Sequence, residues 1–342
     1  MRWFFGLVLV IALITGVLYG VGRFLLPNSL EVRREATIER PRAAVFAMAN
    51  DLKIVKEWSP FYALDPDADY TFSGDGPGSG QSMHWRSNVR QVGDGQMTIV
   101  RSLENQEIDS IIELNQRATL NTSMQLHPVP QGTHVIWAVT AECSEGWINV
   151  PCRYMNLVLR NMVLKYLDSG LARLKTLAEQ LPNVDFEDLQ PEFETADPQT
   201  YVYSPVTTSA TDPEKLDEAL TLGDQQVTEF MARYQLAKSG PQIRVTTAWD
   251  PGQGQISFRV GYPFNGPTPS SVVGVQIGQT PSGSVMHVTH HGPRDRTRDT
   301  YAKIYAYLQA HRISMREGGL PWEVLQNADP GNTQIDIFVP LQ

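Results

Sequence analysis

Trp3 to Gly22, WFFGLVLVIALITGVLYGVG, is an uncharged apolar run of 20 residues near the start of a 342-residue chain. No other feature restricts the chain as much, because such a run must leave water whatever the rest does. As a helix rising ~1.5 Å per residue it reaches roughly 30 Å, the thickness of a hydrocarbon layer. Trp3 and Tyr19 suit the two interfaces, and Arg2 and Arg23 bracket the run. A cleaved signal peptide is the rival reading. The run is long for the apolar core of one, and no small-x-small cleavage site follows before Arg23. The expectation is an uncleaved single-pass anchor over residues 3–22, with the lipid bilayer as its partner.

Sidedness rests on signals that oppose each other. Arg23, Arg33, Arg34, Arg40 and Arg42 put more positive charge after the span than before it, which alone would hold the body inside the cell. Long trailing domains, however, often cross regardless of flanking charge. Cys143 and Cys152 are close enough in sequence to bridge a short loop, which suits an oxidising compartment. Two ordinary thiols account for them equally well. The balance places the soluble part on the extracytoplasmic side. Neither a C-x-x-C pair nor metal-ligand histidine spacing is present, so no metal site and no cofactor are expected.

Beyond the anchor the length suits two domains, each able to bury its own core. The net charge of −9 opposes a nucleic-acid surface, which needs clustered Lys and Arg. Residues 31–182 form the first expected unit. Leu30–Glu39 alternates as a strand, and Ala43–Asn50 spaces Ala44, Val45, Met48 and Ala49 as a helix. Strand-like runs follow at 70–72, 81–87, 96–103, 109–114, 118–126 and 133–141. Asn156–Gln180 then reads as a long amphipathic helix carrying Leu164, Leu167, Leu171 and Leu174. The glycine-rich Gly74–Gly80 turn lacks the Lys-Ser/Thr ending of a phosphate-binding loop.

One strand, short helices, a run of antiparallel strands and a closing helix describe a curved sheet gripping a helix. With Ile38–Phe46, Asn50-Asp51, Trp58-Ser-Pro60, Trp85 and Ser169–Lys175, the unit resembles the SRPBCC superfamily, which includes START-like lipid-transfer and polyketide cyclase/dehydrase-like proteins. The resemblance implies an apolar cavity between sheet and helix, for which Trp58, Phe61, Trp85, Trp137 and Tyr154 are candidate liners. The superfamily hosts binders, carriers and enzymes, so it implies no single activity.

Asn183–Pro198 is acidic and proline-bearing without periodicity, and is expected to be an interdomain linker. Residues 199–342 then show two rounds of strand, helix, strand, strand. Within them lies Leu320–Pro330, LPWEVLQNADP, which sets Glu323 beside Trp322 before a turn at Asp329-Pro330. A carboxylate leaving water needs a positive partner. Glu323 is therefore either a surface residue beside a packing ring, or the acidic floor of an aromatic cup for lipophilic cations. Trp249, Tyr262, Tyr203 and Tyr305 are the further rings that such a cup would use.

Gly240-Pro241, Trp249-Asp250, Phe258–Pro263, His290-His-Gly-Pro293, the helical stretch from Asp299 to His311 and Pro321-Trp-Glu323 occur in that order. This set resembles the GyrI-like effector-binding domain that accompanies bacterial transcription activators. The resemblance implies that Glu323 sits in the ligand pocket, between the two halves. Arg294 departs from it, standing where the family often has an aromatic after Gly-Pro. No helix-turn-helix with a basic recognition helix precedes the domain.

The expected fold is therefore α+β: a transmembrane helix, a helix-grip antiparallel domain and a duplicated strand–helix–strand–strand domain. The expected function is a membrane-anchored protein for a hydrophobic or amphipathic small molecule, with no nucleic acid as partner. The chain carries no G-x-S-x-G elbow and no H-E-x-x-H site. His287 and His291 would share a strand face about 13 Å apart, too far for one metal, while His290 faces away. The alternatives are a hydrolase using Glu323 as general base with Tyr305 or Tyr262 beside it, a cyclase-like enzyme in the first unit, or an adaptor without ligand.

Overall fold

The structure, a computed structural model, describes residues 2–115, 118–143, 146, 149–250, 252–269, 274–329 and 331–342. Pro330, read above as part of a turn, lies outside the described residues. The chain divides into two compact units, Met1–Glu187 and Asp188–Gln342.

The first unit begins with helix α1, Arg2–Phe24, whose described side chains are exposed along nearly its whole length. Over Gly6–Phe24 it is long and apolar enough to cross a membrane, so it is a candidate span. Strand β1 (Ser29–Ile38) leads to three short helices, α2 (Arg42–Ala49), α3 (Leu52–Trp58) and α4 (Pro60–Leu64). Their boundaries are written locally. The Asp51 carboxylate caps α3 by accepting from the Lys53 N–H at 2.9 Å, and the Ser59 hydroxyl caps α4, where Pro60 opens the helix.

Six strands follow: β2 (Asp69–Ser73), β3 (Ser82–Arg86), β4 (Asp94–Leu103), β5 (Glu107–Leu114), β6 (Ala118–Val129) and β7 (Gly132–Glu142). They form a seven-stranded antiparallel sheet in the order β1-β7-β6-β5-β4-β3-β2, so the strand before the helices closes against the last hairpin. Helix α5 (Val150–Ala178) lies along β1 and buries Leu167, Leu171 and Leu174. At Gly170 a Cβ would come within 2.6 Å of the Trp137 ring, so this glycine lets α5 settle on the sheet. A disulfide joins Cys143 to Cys152, deciding between the two readings left open above.

The second unit has β8 (Glu192–Ala196), β9 (Thr200–Ser209), α6 (Pro213–Arg233), β10 (Ala237–Lys238), β11 (Gln242–Asp250) and β12 (Gln255–Asn265). Then come β13 (Gln276–Gln279), β14 (Gly283–Gly292), a 3-10 turn at Arg294–Arg296, α7 (Thr297–Ala310), β15 (Trp322–Asn327) and β16 (Thr333–Pro340). The duplication is explicit: β9-α6-β11-β12 and β14-α7-β15-β16. Their strands merge through the β11–β15 pairing into one antiparallel sheet, ordered β13-β9-β12-β11-β15-β16-β14-β8 with β10 on β12. Helix α6 packs Val227, Phe230 and Met231 on Val202. Helix α7 packs Ile304 and Leu308 on Met286, Val288, Ile335 and Ile337. One stretch departs from expectation. Glu192–Ala196, read as part of an interdomain linker, pairs with β14 as an edge strand.

Candidate ligand-binding sites

The first unit encloses a cavity of about 250 Å³ between the sheet, the short helices and α5. Its wall is apolar and ring-rich. Trp58 closes α3 and is fixed by its indole N–H, which donates to the Met48 carbonyl at 3.0 Å. Trp137 on β7 donates to Thr122 Oγ1 at 2.6 Å and meets Trp58 edge-on at 5.5 Å. Phe61 stacks on Trp85 at 5.3 Å and meets Tyr166 of α5 edge-on at 5.7 Å. Buried aromatic donors normally find partners, which two of these indoles do. The Trp85 N–H has none among the described residues. Of the five rings proposed from sequence, Trp58, Phe61, Trp85 and Trp137 line the cavity. Tyr154 does not: its hydroxyl donates to the Leu18 carbonyl of α1 at 2.7 Å.

In the second unit strand parity decides what surrounds Glu323. Successive residues of β15 point to opposite faces of the sheet. Trp322 lies on the face away from α6 and α7, stacked on Phe338 at 5.2 Å and packed with Tyr201, Tyr203, Ile243 and Val245. Tyr203 shares that face, stacked on Tyr201 at 4.9 Å, with its hydroxyl donating to Gln276 Oε1 at 2.9 Å. Trp249 is exposed near the end of β11. None of these three rings stands beside Glu323 in a common cup.

Glu323 lies on the helix-bearing face, directly opposite Arg244 in the β11–β15 register. Its Oε1 accepts from the Tyr301 hydroxyl at 2.9 Å, and its Oε2 is 3.7 Å from an Arg244 nitrogen. The glutamate side chain keeps 21% of its exposure and the arginine 8%, so the carboxylate keeps some access to solvent while the guanidinium beside it is buried. Tyr305, one helical turn beyond Tyr301, lies parallel to it at 6.2 Å. On the other side, Arg244 Nε donates to Gln242 Oε1 at 3.0 Å, and Gln242 donates to Asp224 of α6 at 2.7 Å. Tyr262 donates to the same Asp224 oxygen at 2.6 Å. Arg294, the departure noted from sequence, faces Asp217 of α6 at 3.8 Å.

Burial sets the titration of this layer. It pushes Arg244 down to about 10, against the pull of Glu323. It pushes Tyr262 up to about 12, helped by the hydrogen bond to Asp224, and Tyr301 well above its ordinary value, helped by Glu323. Tyr305 is raised by burial alone. At neutral pH the layer holds a cation and neutral phenols around the carboxylates.

Sequence reasoning had Glu323, Tyr262 and Tyr305 but missed Arg244, Gln242, Asp224 and Tyr301 as their partners. A signal existed: Gln242 and Arg244 alternate with Ile243 and Val245, marking polar positions on one sheet face. The histidines sit as strand geometry requires. His287 stacks on Phe338 at 4.6 Å, while His290, on the other face, is 2.7 Å from Thr300 Oγ1. Among the described residues no group of three or more His, Cys, Asp or Glu is arranged to hold a metal.

Residues 29–179 match the family model described as polyketide cyclase / dehydrase and lipid transport, and residues 189–342 match the GyrI-like small molecule binding domain. The chain joins one domain of each family. Among solved structures, a Staphylococcus aureus protein of unknown function aligns at 9% identity over 44% of this chain and 94% of its own, with a TM-score of 0.36. A Mesorhizobium loti protein aligns at 13% identity over 44% of this chain and 97% of its own, with a TM-score of 0.33. EcmrR, solved in a complex with DNA, aligns at 13% identity over 58% of this chain and 72% of its own, with a TM-score of 0.39. No curated protein matches the chain. The cyclase-type domain thus carries the apolar cavity, and the GyrI-like domain carries the Glu323–Arg244 layer.

Proposed function

We propose that this chain is a membrane-anchored binding protein for lipophilic small molecules. The observation that carries the reading is the apolar, ring-walled cavity of the cyclase-type domain, whose size suits a small hydrophobic ligand. In the GyrI-like domain, Glu323 with Tyr301 and Tyr305 supports a second ligand, one that offers a positive or hydrogen-bond-donating group to the carboxylate. Anchoring through α1 favours ligands that partition into lipid, because a tethered site meets them at raised local concentration.

Both oxygens of Glu323 are already engaged, one by Tyr301 and the other by Arg244. That favours holding a ligand over abstracting a proton, and so favours a binder over a hydrolase. The test titrates the purified protein in detergent with tetraphenylphosphonium by calorimetry, beside Glu323→Gln. Saturable binding that weakens at least tenfold in the variant supports the cationic arm. Equal binding by both proteins overturns it. A neutral hydrophobe such as 1-aminoanthracene probes the cavity, where binding must be insensitive to Glu323→Gln.

A further inference from the structure

Helix α5 changes character along its length. In its second half the exposed positions are polar or small: Asp168, Ser169, Ala172 and Thr176. In its first half, beside Pro151, Arg160 and Asn161, they include four large apolar side chains, with Met155 54%, Leu157 48%, Val158 73% and Met162 42% exposed. Met155, Val158 and Met162 fall at helical spacing on one side, forming an unpartnered stripe. Scattered surface apolar residues need no explanation, but a contiguous stripe does.

The same end of α5 is pinned to the end of α1. Arg153 donates to the carbonyls of Arg23 and Leu26 at 2.8 and 3.0 Å, closing the helix end where free carbonyls accumulate. Tyr154 donates to the carbonyl of Leu18, inside the apolar run. At Gly22 a Cβ would come within 2.3 Å of Val150 and 2.7 Å of Tyr154, so a glycine there admits the contact. The disulfide to Cys152 and the Cys143 N–H bond to the Asn28 carbonyl at 3.0 Å tie the same corner to β7 and the start of β1.

We propose that the first half of α5 is a second membrane-contacting element, seated in the interfacial layer beside the end of α1, with the lipid bilayer itself covering Met155, Val158 and Met162. The proposal rests on the anchored reading of α1. If α1 spans, Leu18 lies about 9 Å inside the end of the span, so the Tyr154 hydroxyl bonded to it reaches the depth to which an interfacial helix buries its apolar face. The stripe begins one residue later. Exposed Arg160, with Lys165 just beyond, gives this half cations within reach of headgroups. The stripe ends at Met162, which also lines the cavity with Val163 and Tyr166, so lipid and cavity wall meet along one helix.

The test places one nitroxide at a time on the full chain in phosphatidylcholine–phosphatidylglycerol vesicles. The two native cysteines are joined, so a single added cysteine takes the label. Labels at Met155→Cys, Val158→Cys and Met162→Cys are expected to collide with oxygen more than with a water-soluble nickel chelate, as is Leu13→Cys in α1. Ala172→Cys and Thr176→Cys are expected to do the reverse. If Leu13→Cys reads lipid while the three α5 labels read water, the proposal is overturned and the anchor stands. If Leu13→Cys also reads water, the anchored reading fails and takes the proposal with it. Variants are counted only when they keep the parent unfolding midpoint.

Discussion

The two candidate sites are built from the same layers, helices on one face of an antiparallel sheet, yet they are chemical opposites. In the cyclase-type domain the space under the helices is walled by Trp58, Phe61, Trp85 and Trp137, whose two bonded indole donors are used up within the wall. In the GyrI-like domain the corresponding layer holds Arg244, Glu323, Asp224 and Gln242, joined by one ion pair and a chain of hydrogen bonds. An apolar wall can stand around empty space, losing only contacts. A charged layer cannot, because each ion left without a partner costs several kcal/mol. The first site therefore exists as a cavity, while the second is filled by its own side chains and offers one partly exposed carboxylate.

Four measurements would break or sharpen that contrast. The largest effect is expected for Trp137→Ala, which removes the ring beneath Gly170 and both of its neighbours' contacts. It should cost about 4 kcal/mol in urea unfolding of the first domain. A cost under about 1 kcal/mol would mean that the wall collapses freely and the cavity is not a fixed feature. Next, Arg244→Met should cost about 3 kcal/mol, because Glu323 and Gln242 lose their buried cation. A neutral or stabilising result would show that the GyrI-like layer tolerates an apolar floor, erasing the contrast.

Smaller is the effect of Glu323→Gln. The amide keeps the Tyr301 bond but leaves the buried Arg244 without its counter-ion, so stability should fall by about 2 kcal/mol. Tetraphenylphosphonium affinity should fall at least tenfold. The smallest is spectroscopic. The Tyr262 phenol should ionise at about 12 in an ultraviolet titration, well after exposed tyrosines, and Tyr262→Phe should shrink by one phenol the late step it shares with Tyr70 and Tyr201. The sign for stability follows from its raised pKa. The stabilisation is complete below about 10, where the unfolded phenol also keeps its proton, and is lost as pH climbs toward 12.

Much of the fold was legible in the chain. The strands of the first unit and the long helix after them follow from alternation and helical leucine spacing, which depend on near neighbours alone. The duplicated plan of the second unit was legible for the same reason. The cavity rings Trp58, Phe61, Trp85 and Trp137 were candidates because the resemblance to the SRPBCC superfamily implies an apolar space between sheet and helix. Tyr154 was misplaced because its partner, Leu18, lies 136 residues away. Glu192–Ala196 was read as linker because an exposed edge strand, with four of its five residues open to water, carries no apolar alternation.

By itself the sequence determined the apolar N-terminal run and the order and type of the elements. Only the tertiary structure decided that Trp322 and Glu323, adjacent in the chain, serve opposite faces of one sheet. It alone paired Arg244 and Tyr301 with that carboxylate, and closed Cys143 on Cys152. The physical reason is one of range. Alternation along a strand separates neighbours into two faces, but which face the helices cover, and which strand lies alongside, depends on pairings far apart in sequence.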